Sequence, residues 1–133
     1  MVGIVLCTHS NFAEGCKNSV EMIAGLQENL FAVNFDGFTD LVELSEQLKE
    51  AGSKCDEGCI YLVDMMNATP YNAALMAIAY TDNIVLAGLS LPMLLELVIS
   101  RNLEDETVHT LVQRVMESKN DYVGYTTSND VFK

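Results

Sequence analysis

The sequence has 133 residues, half of them apolar, and a formal net charge of −12. That length suits one domain with a substantial core, and so large an apolar share excludes a wholly disordered chain. The 19 acidic and 7 basic residues argue against nucleic acid or an anionic membrane as partner and favour a basic protein instead.

The first part of the chain alternates strand and helix patterns. Residues 3–7 form a short β-branched run without period-2 alternation, which predicts a strand buried on both faces, as in parallel α/β sheets. Apolar residues then recur at helical spacing from Phe12 to Ala24, and Gly25 marks the helix stop. Residues 30–35 are the second predicted strand, ended by the turn pair Asp36-Gly37.

The middle of the chain repeats this alternation. Thr39 is placed to cap a helix that ends near Gly52, and residues 59–63 are the third predicted strand. Thr69 and Pro70 open the next helix, with Thr69 as the N-cap and Pro70 at the first helical position. That helix is apolar nearly all round, which predicts heavy burial.

The last part contains one more strand and two more helices. Residues 84–88 are the fourth predicted strand, and a helix follows over about 90–100. A last helix has an apolar face from Val108 to Met116, with His109 outside that face as a solvated side chain. Residues 121–125 are a candidate for one short edge strand.

This order of elements predicts an α/β fold in a single domain over residues 1–133. The expected architecture is a doubly wound, flavodoxin-like parallel sheet of about four strands in the order 2-1-3-4, with helices on both faces. Such sheets bind ligands beyond the carboxyl ends of their strands. His9 follows the first strand and Asp64 the third, so the two are expected to face each other. The Thr69 hydroxyl and the amides of its helix are expected beside them, as a seat for a phosphate-like anion.

These residue types suit a histidine that accepts a phosphoryl group. Attack through Nε2 requires a neutral imidazole with its proton on Nδ1, and a carboxylate that accepts from Nδ1–H holds that tautomer. Donors from a hydroxyl and a helix N-terminus stabilise the charge of the transferred group. Each residue also has a purely structural interpretation: Asp64 as a turn cap, Thr69 as a helix cap, and Ser10 as a partner for the backbone.

The sequence also bears on location and metal binding. No basic, apolar N-terminal signal is present, and the apolar stretch 84–100 is interrupted well short of the about 20 residues that a membrane span needs. We therefore expect a cytoplasmic protein without membrane insertion. The four cysteines lack the paired spacing of a zinc site, so free thiols and no bound metal are expected.

Three segments resemble a known family. They are VGIVLCTHSNFAEG at residues 2–15, LVDMMNATPYNAA at residues 62–74 and LAGLSLPMLLELV at residues 86–98. Their sequence and order are similar to the IIA component of the mannose/fructose/sorbose family of the bacterial phosphoenolpyruvate-dependent sugar phosphotransferase system (PTS). The resemblance covers nearly the whole chain.

The resemblance implies a phosphotransferase component that accepts a phosphoryl group on Nε2 of His9 from the phosphocarrier HPr and passes it to a IIB component, without a cofactor. It also implies that Asp64 orients His9 and that Thr69 lies at the phosphoryl pocket. Ser10, also expected there, replaces the usual glycine after the histidine. Asn67-Ala68 replace a usual Gly-Gly pair, which puts the path of that loop in question.

Partners follow from the same resemblance. The 133 residues leave no room for a IIB domain, so IIB is expected to be a separate polypeptide. The family implies a homodimer, with the C-terminal strand as a candidate for exchange between subunits. Met65 and Met66 form a soft, adaptable pair that either packs on a partner protein or fills core.

Several alternatives stay beside this interpretation. One is a regulatory module of the same fold, phosphorylated at His9 without passing the group on, and another is the phosphoryl donor of a dihydroxyacetone kinase. Three other classes do not fit the sequence. A receiver domain requires acidic residues after the first strand, which this chain lacks there, and a flavodoxin requires a phosphate loop richer in Ser and Thr than residues 8–15. A histidine phosphatase requires Arg where Thr8 stands. The transported sugar is not encoded, because IIA components contact proteins.

Overall fold

The structure is a computed structural model that describes residues 1–132. Four strands form one parallel sheet in the order β2-β1-β3-β4. The strands are β1 (Gly3–His9), β2 (Leu30–Phe35), β3 (Cys59–Val63) and β4 (Ile84–Ala87). Strand order and parallel pairing confirm the predicted flavodoxin-like α/β fold.

Helices cover both faces of this sheet. They are α1 (Phe12–Ala24), α2 (Leu41–Gly52), α3 (Thr69–Ile78), α4 (Leu91–Ser100), α5 (Val108–Ser118) and the short α6 (Ser128–Val131). One core cluster joins Ile4 and Leu6 to α1, α4 and α5, and the other joins Val5 and Cys7 to α2 and α3. Since successive side chains of a strand point to opposite faces, β1 is buried on both sides, as its unbroken apolar run predicted.

Strand register brings the predicted site residues to one edge of the sheet. Cys7 of β1 pairs with Val63 of β3, and His9 pairs with Phe35 of β2. The chain leaves β1 for α1 on one face and leaves β3 for α3 on the other face. His9 and Asp64 therefore lie at the topological switch point, where doubly wound sheets place their ligands.

The C-terminal segment differs from its predicted edge strand. Residues 119–121 form a 3₁₀ turn and residues 123–127 are irregular. The reason is a polar anchor on α4: Ser118 donates to Glu96 at 2.8 Å, and the Tyr122 hydroxyl donates to the other oxygen of the same carboxylate. These bonds hold the start of the segment against α4.

Two helices also differ in detail from their predictions. The N-cap of α2 is Asp40, whose carboxylate accepts from the Glu43 N–H at 2.9 Å, while Thr39 donates its hydroxyl to Asp36. The helix α3 is buried only along one stripe that includes Ala73 and Ala77. It packs on the sheet through that stripe alone, so its other apolar residues are not all covered.

Arg101, just after α4, is a buried charged residue that the sequence patterns did not single out. Its guanidinium donates to the carbonyl oxygens of Val2 and Asn29 at 3.0 Å each and to Oε1 of Gln27 at 3.1 Å. These bonds join the end of α4 to the start of β1 and to the turn before β2. Within residues 1–132, no helix is both long and apolar enough to cross a bilayer.

Candidate functional site

His9 and Asp64 form a direct contact across neighbouring strand ends. Nδ1 of the His9 ring lies 2.7 Å from Oδ2 of Asp64, and the backbone N–H of His9 donates to the same oxygen at 3.0 Å. The second carboxylate oxygen accepts from the Met65 N–H at 3.1 Å. Both carboxylate oxygens are thus bound, and the carboxylate holds the His9 backbone as well as its ring.

The electrostatics of this contact define the tautomer of the ring. Burial alone would raise the pKa of the Asp64 carboxyl, but the hydrogen bonds from the His9 ring and backbone outweigh it and leave the pKa below its ordinary value. An ionised carboxylate can only accept hydrogen bonds, so the proton of a neutral His9 ring lies on Nδ1. Nε2 then has a free lone pair for attack on an electrophile.

The His9 ring is both accessible and fixed in orientation. Its side chain is 47% exposed, against 14% for Asp64. The ring meets Phe35 edge to face, with centroids 5.8 Å apart. A cavity of about 280 Å³ lies beside it, lined by His9, Ser10, Asn11, Asn34, Phe35, Asp36 and Gly37. A nucleophile held on one side and open on the other suits transfer of a group from another molecule.

Two strand residues that the sequence interpretation missed, Thr8 of β1 and Asn34 of β2, hold the start of α1. Oγ1 of Thr8 accepts from the Ala13 N–H at 2.6 Å, and Oδ1 of Asn34 accepts from the Glu14 N–H at 3.3 Å. Together they occupy N–H groups at the start of α1. Thr8 lies within β1, and the residue at the N-cap of α1 is Asn11, so no capping pattern in the sequence pointed to Thr8.

Ser10 lies in the left-handed region of backbone conformation, with φ of 52°. This region favours glycine, the residue that the resemblance predicts there. Its N–H donates to the Phe35 carbonyl oxygen at 2.9 Å, and its side chain lies on the wall of the cavity beside His9. Ser10 therefore lies at the site of His9, and this hydrogen bond is made by its backbone N–H and not by its hydroxyl.

The loop after β3 begins α3 one residue earlier than predicted. Ala68 is at the N-cap, and Thr69 and Pro70 are the first two helical residues, so Thr69 is not the cap. The methyl side chain of Ala68 has no oxygen to accept from the first amides of the helix. Asn67 takes the left-handed conformation with φ of 61°, whereas Ala68 is extended with φ of −124°, so the alanine meets no strain.

The two methionines of this loop lie at the surface. Met65 and Met66 are 56% and 57% exposed, which excludes the core-filling interpretation. Met66 lines a separate cavity along β4, together with Tyr71 and Leu75. Neither methionine lines the cavity beside His9.

The thiol of Cys7, on β1 near the site, is not a nucleophile at neutral pH. Burial, together with the nearby Asp64 charge, raises the pKa of the Cys7 thiol to about 12, so the thiol stays protonated at neutral pH. Among residues 1–132, no group of three or more His, Cys, Asp or Glu side chains is placed to hold a metal ion.

A sequence model of one family, described as the PTS system fructose IIA component (EIIA-man), matches residues 3–116. The chain belongs to this family. It is a PTS EIIA component of the mannose/fructose/sorbose type, and PTS EIIA proteins are phosphotransferase components.

Known EIIA proteins match this chain along most of its length. The fructose-specific EIIA component of Bacillus subtilis (strain 168) is 35% identical over 104 residues, which cover 76% of this chain and 71% of that protein. The mannose-specific EIIAB component of Escherichia coli (strain K12) is 31% identical over 120 residues, or 88% of this chain. This EIIA chain spans only 37% of the length of that protein.

Solved EIIA structures share the fold. The crystal structure of PTS component EIIA from Streptococcus agalactiae superposes with a TM-score of 0.84 and is 32% identical in sequence. The match covers 94% of this chain and 97% of that chain. The sheet order and the helices on both faces are therefore features that this chain shares with an EIIA protein.

Proposed function

We propose that this EIIA chain is a cytoplasmic phosphoryl carrier that accepts a phosphoryl group from phospho-HPr on His9 and passes it to a IIB component. The observation that supports this role most directly is the 2.7 Å contact between Nδ1 of His9 and Oδ2 of Asp64. It leaves Nε2 unprotonated on an exposed ring, which is the state that a phosphoryl acceptor needs.

The proposed transfer balances without a cofactor. The Nε2 lone pair attacks the phosphorus of the phosphohistidine on HPr, the donor P–N bond breaks, and its electron pair returns to the donor ring. The His9 ring becomes a phosphorylated imidazolium, and the Asp64 carboxylate stabilises its positive charge. In the second step a nucleophile of IIB attacks the phosphorus, and the P–N bond electrons return to His9.

The charge of the transferred group needs hydrogen-bond donors. We assign this task to the Thr69 hydroxyl and the first amides of α3, which have the partial positive charge of a helix N-terminus. Pro70 lacks an N–H, so the amides available in the first turn are those of Thr69 and Tyr71. The Ser10 hydroxyl, on the cavity wall beside His9, is the second proposed donor.

The proposal is tested by following labelled phosphate through the chain. The protein is incubated with labelled phosphoenolpyruvate, enzyme I and HPr, repurified, and then mixed with a IIB component of the mannose type. Acid-labile, base-stable label that leaves this protein and appears on IIB supports the carrier role. Label that is retained would indicate a regulatory module, and label that moves only to a dihydroxyacetone kinase subunit would indicate a kinase donor.

We also propose that the protein forms a homodimer. β4 is the last strand of the sheet, so no strand within residues 1–132 covers its outer edge. The cavity along this edge is lined mainly by apolar residues, and the segment after Tyr122 exposes Val123 and Tyr125 almost fully. An uncovered strand edge and an exposed apolar tail in one molecule suit pairing between two copies.

Sedimentation velocity at micromolar concentration is expected to give twice the monomer mass for the parent protein. Truncation after Tyr122 is expected to give the monomer mass.

Salt is expected to slow phosphoryl transfer from HPr. The chain has a formal charge of −12, which attracts a basic partner. At physiological ionic strength, salt screens this attraction between exposed charges that lie more than about 8 Å apart. We expect the second-order rate constant for transfer to fall roughly tenfold between low salt and about 0.5 M salt. Quenched-flow measurement over this range provides the test. A rate that is independent of salt would mean that apolar contacts, Met65 and Met66 among them, dominate docking.

A further inference from the structure

Phe38 is exposed to solvent in the loop after β2, next to residues that line the cavity of the proposed phosphoryl-accepting site. Its side chain is 93% exposed, although a phenylalanine gains about 2 kcal/mol or more from burial. It directly follows Gly37, which lines the same cavity as His9. Phe12, which is 46% exposed, directly follows Asn11, another residue that lines this cavity. Two exposed aromatic residues thus adjoin, along the chain, residues that line the cavity of His9.

The loop that presents Phe38 is fixed by one carboxylate. Oδ1 of Asp36 accepts from the Phe38 N–H at 2.8 Å, from the Thr39 N–H at 2.7 Å and from the Thr39 hydroxyl at 3.0 Å. Three bonds to one oxygen restrict the backbone on both sides of the phenylalanine. An exposed aromatic residue on a restrained loop loses little conformational freedom when a partner covers it, which is the property of a docking anchor.

Acidic residues lie on both sides of Phe38 in the sequence. The hydrogen bonds from Thr39 and Phe38 lower the pKa of Asp36, so its carboxylate stays ionised at neutral pH. Asp40 and Glu43 follow at the start of α2, and both are exposed. The surface that fits this arrangement has an apolar hollow for a ring and basic residues around it.

We propose that Phe38, positioned by Asp36, is the docking anchor for the basic protein that delivers the phosphoryl group to His9. This inference rests on the proposed function, under which that protein is HPr. Phe38 enters an apolar hollow of the donor, and the acidic residues around it meet the donor's basic rim. Phe12, next to the cavity residue Asn11, adds contact area.

The test separates docking from chemistry by steady-state transfer from phospho-HPr. Phe38→Ala is expected to raise the KM for phospho-HPr about tenfold, the typical loss for truncation of an interface anchor. The kcat of transfer is expected to stay within about twofold of the parent value. Asp36→Ala is expected to raise KM as well, since it removes the loop restraint and a charge. Asp36→Asn retains an acceptor oxygen for the turn, so its smaller effect is expected to disappear at high salt.

Leu26→Ala is the matched control, because Leu26 is 92% exposed in the turn that precedes β2, at the opposite edge of the sheet. It is expected to leave KM unchanged. Parent-like KM in Phe38→Ala, with the parent protein labelled normally, would overturn this proposal alone. An effect of Phe38→Ala confined to discharge onto IIB would also overturn it, since the anchor would then serve the acceptor. A parent protein that phospho-HPr does not label would overturn the proposed function and this inference together.

Discussion

His9→Ala is expected to abolish incorporation of label from phosphoenolpyruvate, enzyme I and HPr. The substitution removes Nε2, the proposed nucleophile, while the nearby thiol of Cys7 stays protonated. The fold is expected to survive, because the His9 side chain is 47% exposed and lies outside both core clusters. Label per protein molecule after gel filtration, together with circular dichroism, provides the measurement.

His109→Ala is the matched control for this experiment. His109 is exposed on α5 and lines a cavity with Gly58 and Asn83, the residues just before β3 and β4. It therefore lies at the amino-terminal ends of the strands, whereas His9 lies at their carboxyl ends. The control is expected to accept label at the parental level. Acid-labile label that persists in His9→Ala would refute the assignment, and label that is lost in His109→Ala would transfer the role to that residue.

Asp64→Asn is expected to slow phosphoryl acceptance on the order of 10²-fold, about 2.7 kcal/mol of transition-state stabilisation. The change keeps the shape of the side chain and removes the negative charge that faces the developing imidazolium of His9. In a serine protease the corresponding change costs about 10⁴-fold, but there the histidine also transfers protons. Here the ring is a nucleophile and a leaving group only, so a smaller loss is expected.

The structure shows why an amide cannot replace this carboxylate fully. Oδ2 of Asp64 accepts from the backbone and the ring of His9, and Oδ1 accepts from the Met65 N–H. An asparagine has one oxygen, so in either orientation its NH₂ group meets a backbone N–H that had an acceptor before. If the NH₂ group faces the ring, the proton of His9 moves to Nε2, the nitrogen that must attack.

Single-turnover transfer from phospho-HPr measures the rate, and nitrogen NMR of the ring identifies the tautomer in both proteins. Asp82→Asn, the same change on an exposed residue at the opposite edge, is the control. A parental rate in Asp64→Asn, or an Nε2–H tautomer in the parent, would reduce Asp64 to a turn cap.

Asp64→Asn is also expected to change the stability of the fold, by an amount that depends on pH. The pKa of Asp64 is lower in the folded protein than its ordinary value, so the carboxylate contributes stability above the unfolded-state pKa of about 3.9. This contribution is lost as the pH falls through the folded-state pKa. Asp64→Asn is therefore expected to be less stable than the parent at neutral pH, and the difference is expected to vanish in acid. Urea unfolding at several pH values measures this difference.

Local sequence patterns were sufficient for most of the architecture. The unbroken apolar run of residues 3–7 indicated a strand buried on both faces, because period and β-branching are properties of neighbouring residues. The helix predicted over about 90–100 is α4, and the hydroxyl of Ser90, its N-cap, accepts from the Met93 N–H at 3.3 Å. Caps were less predictable where two candidates stood side by side: Asp40 caps α2, while Thr39 bonds to Asp36.

The sequence by itself determined the order of strands and helices, and with it the meeting of His9 and Asp64 at one edge of a parallel sheet. Only the tertiary structure decided that one carboxylate oxygen accepts from both the ring and the backbone of a residue 55 positions away. It also decided that Phe38 stays in water and that Arg101 is buried among carbonyl groups. Spacing along a chain determines which face a side chain occupies, whereas a hydrogen bond between distant residues depends on strand register and rotamers to within a few tenths of an ångström.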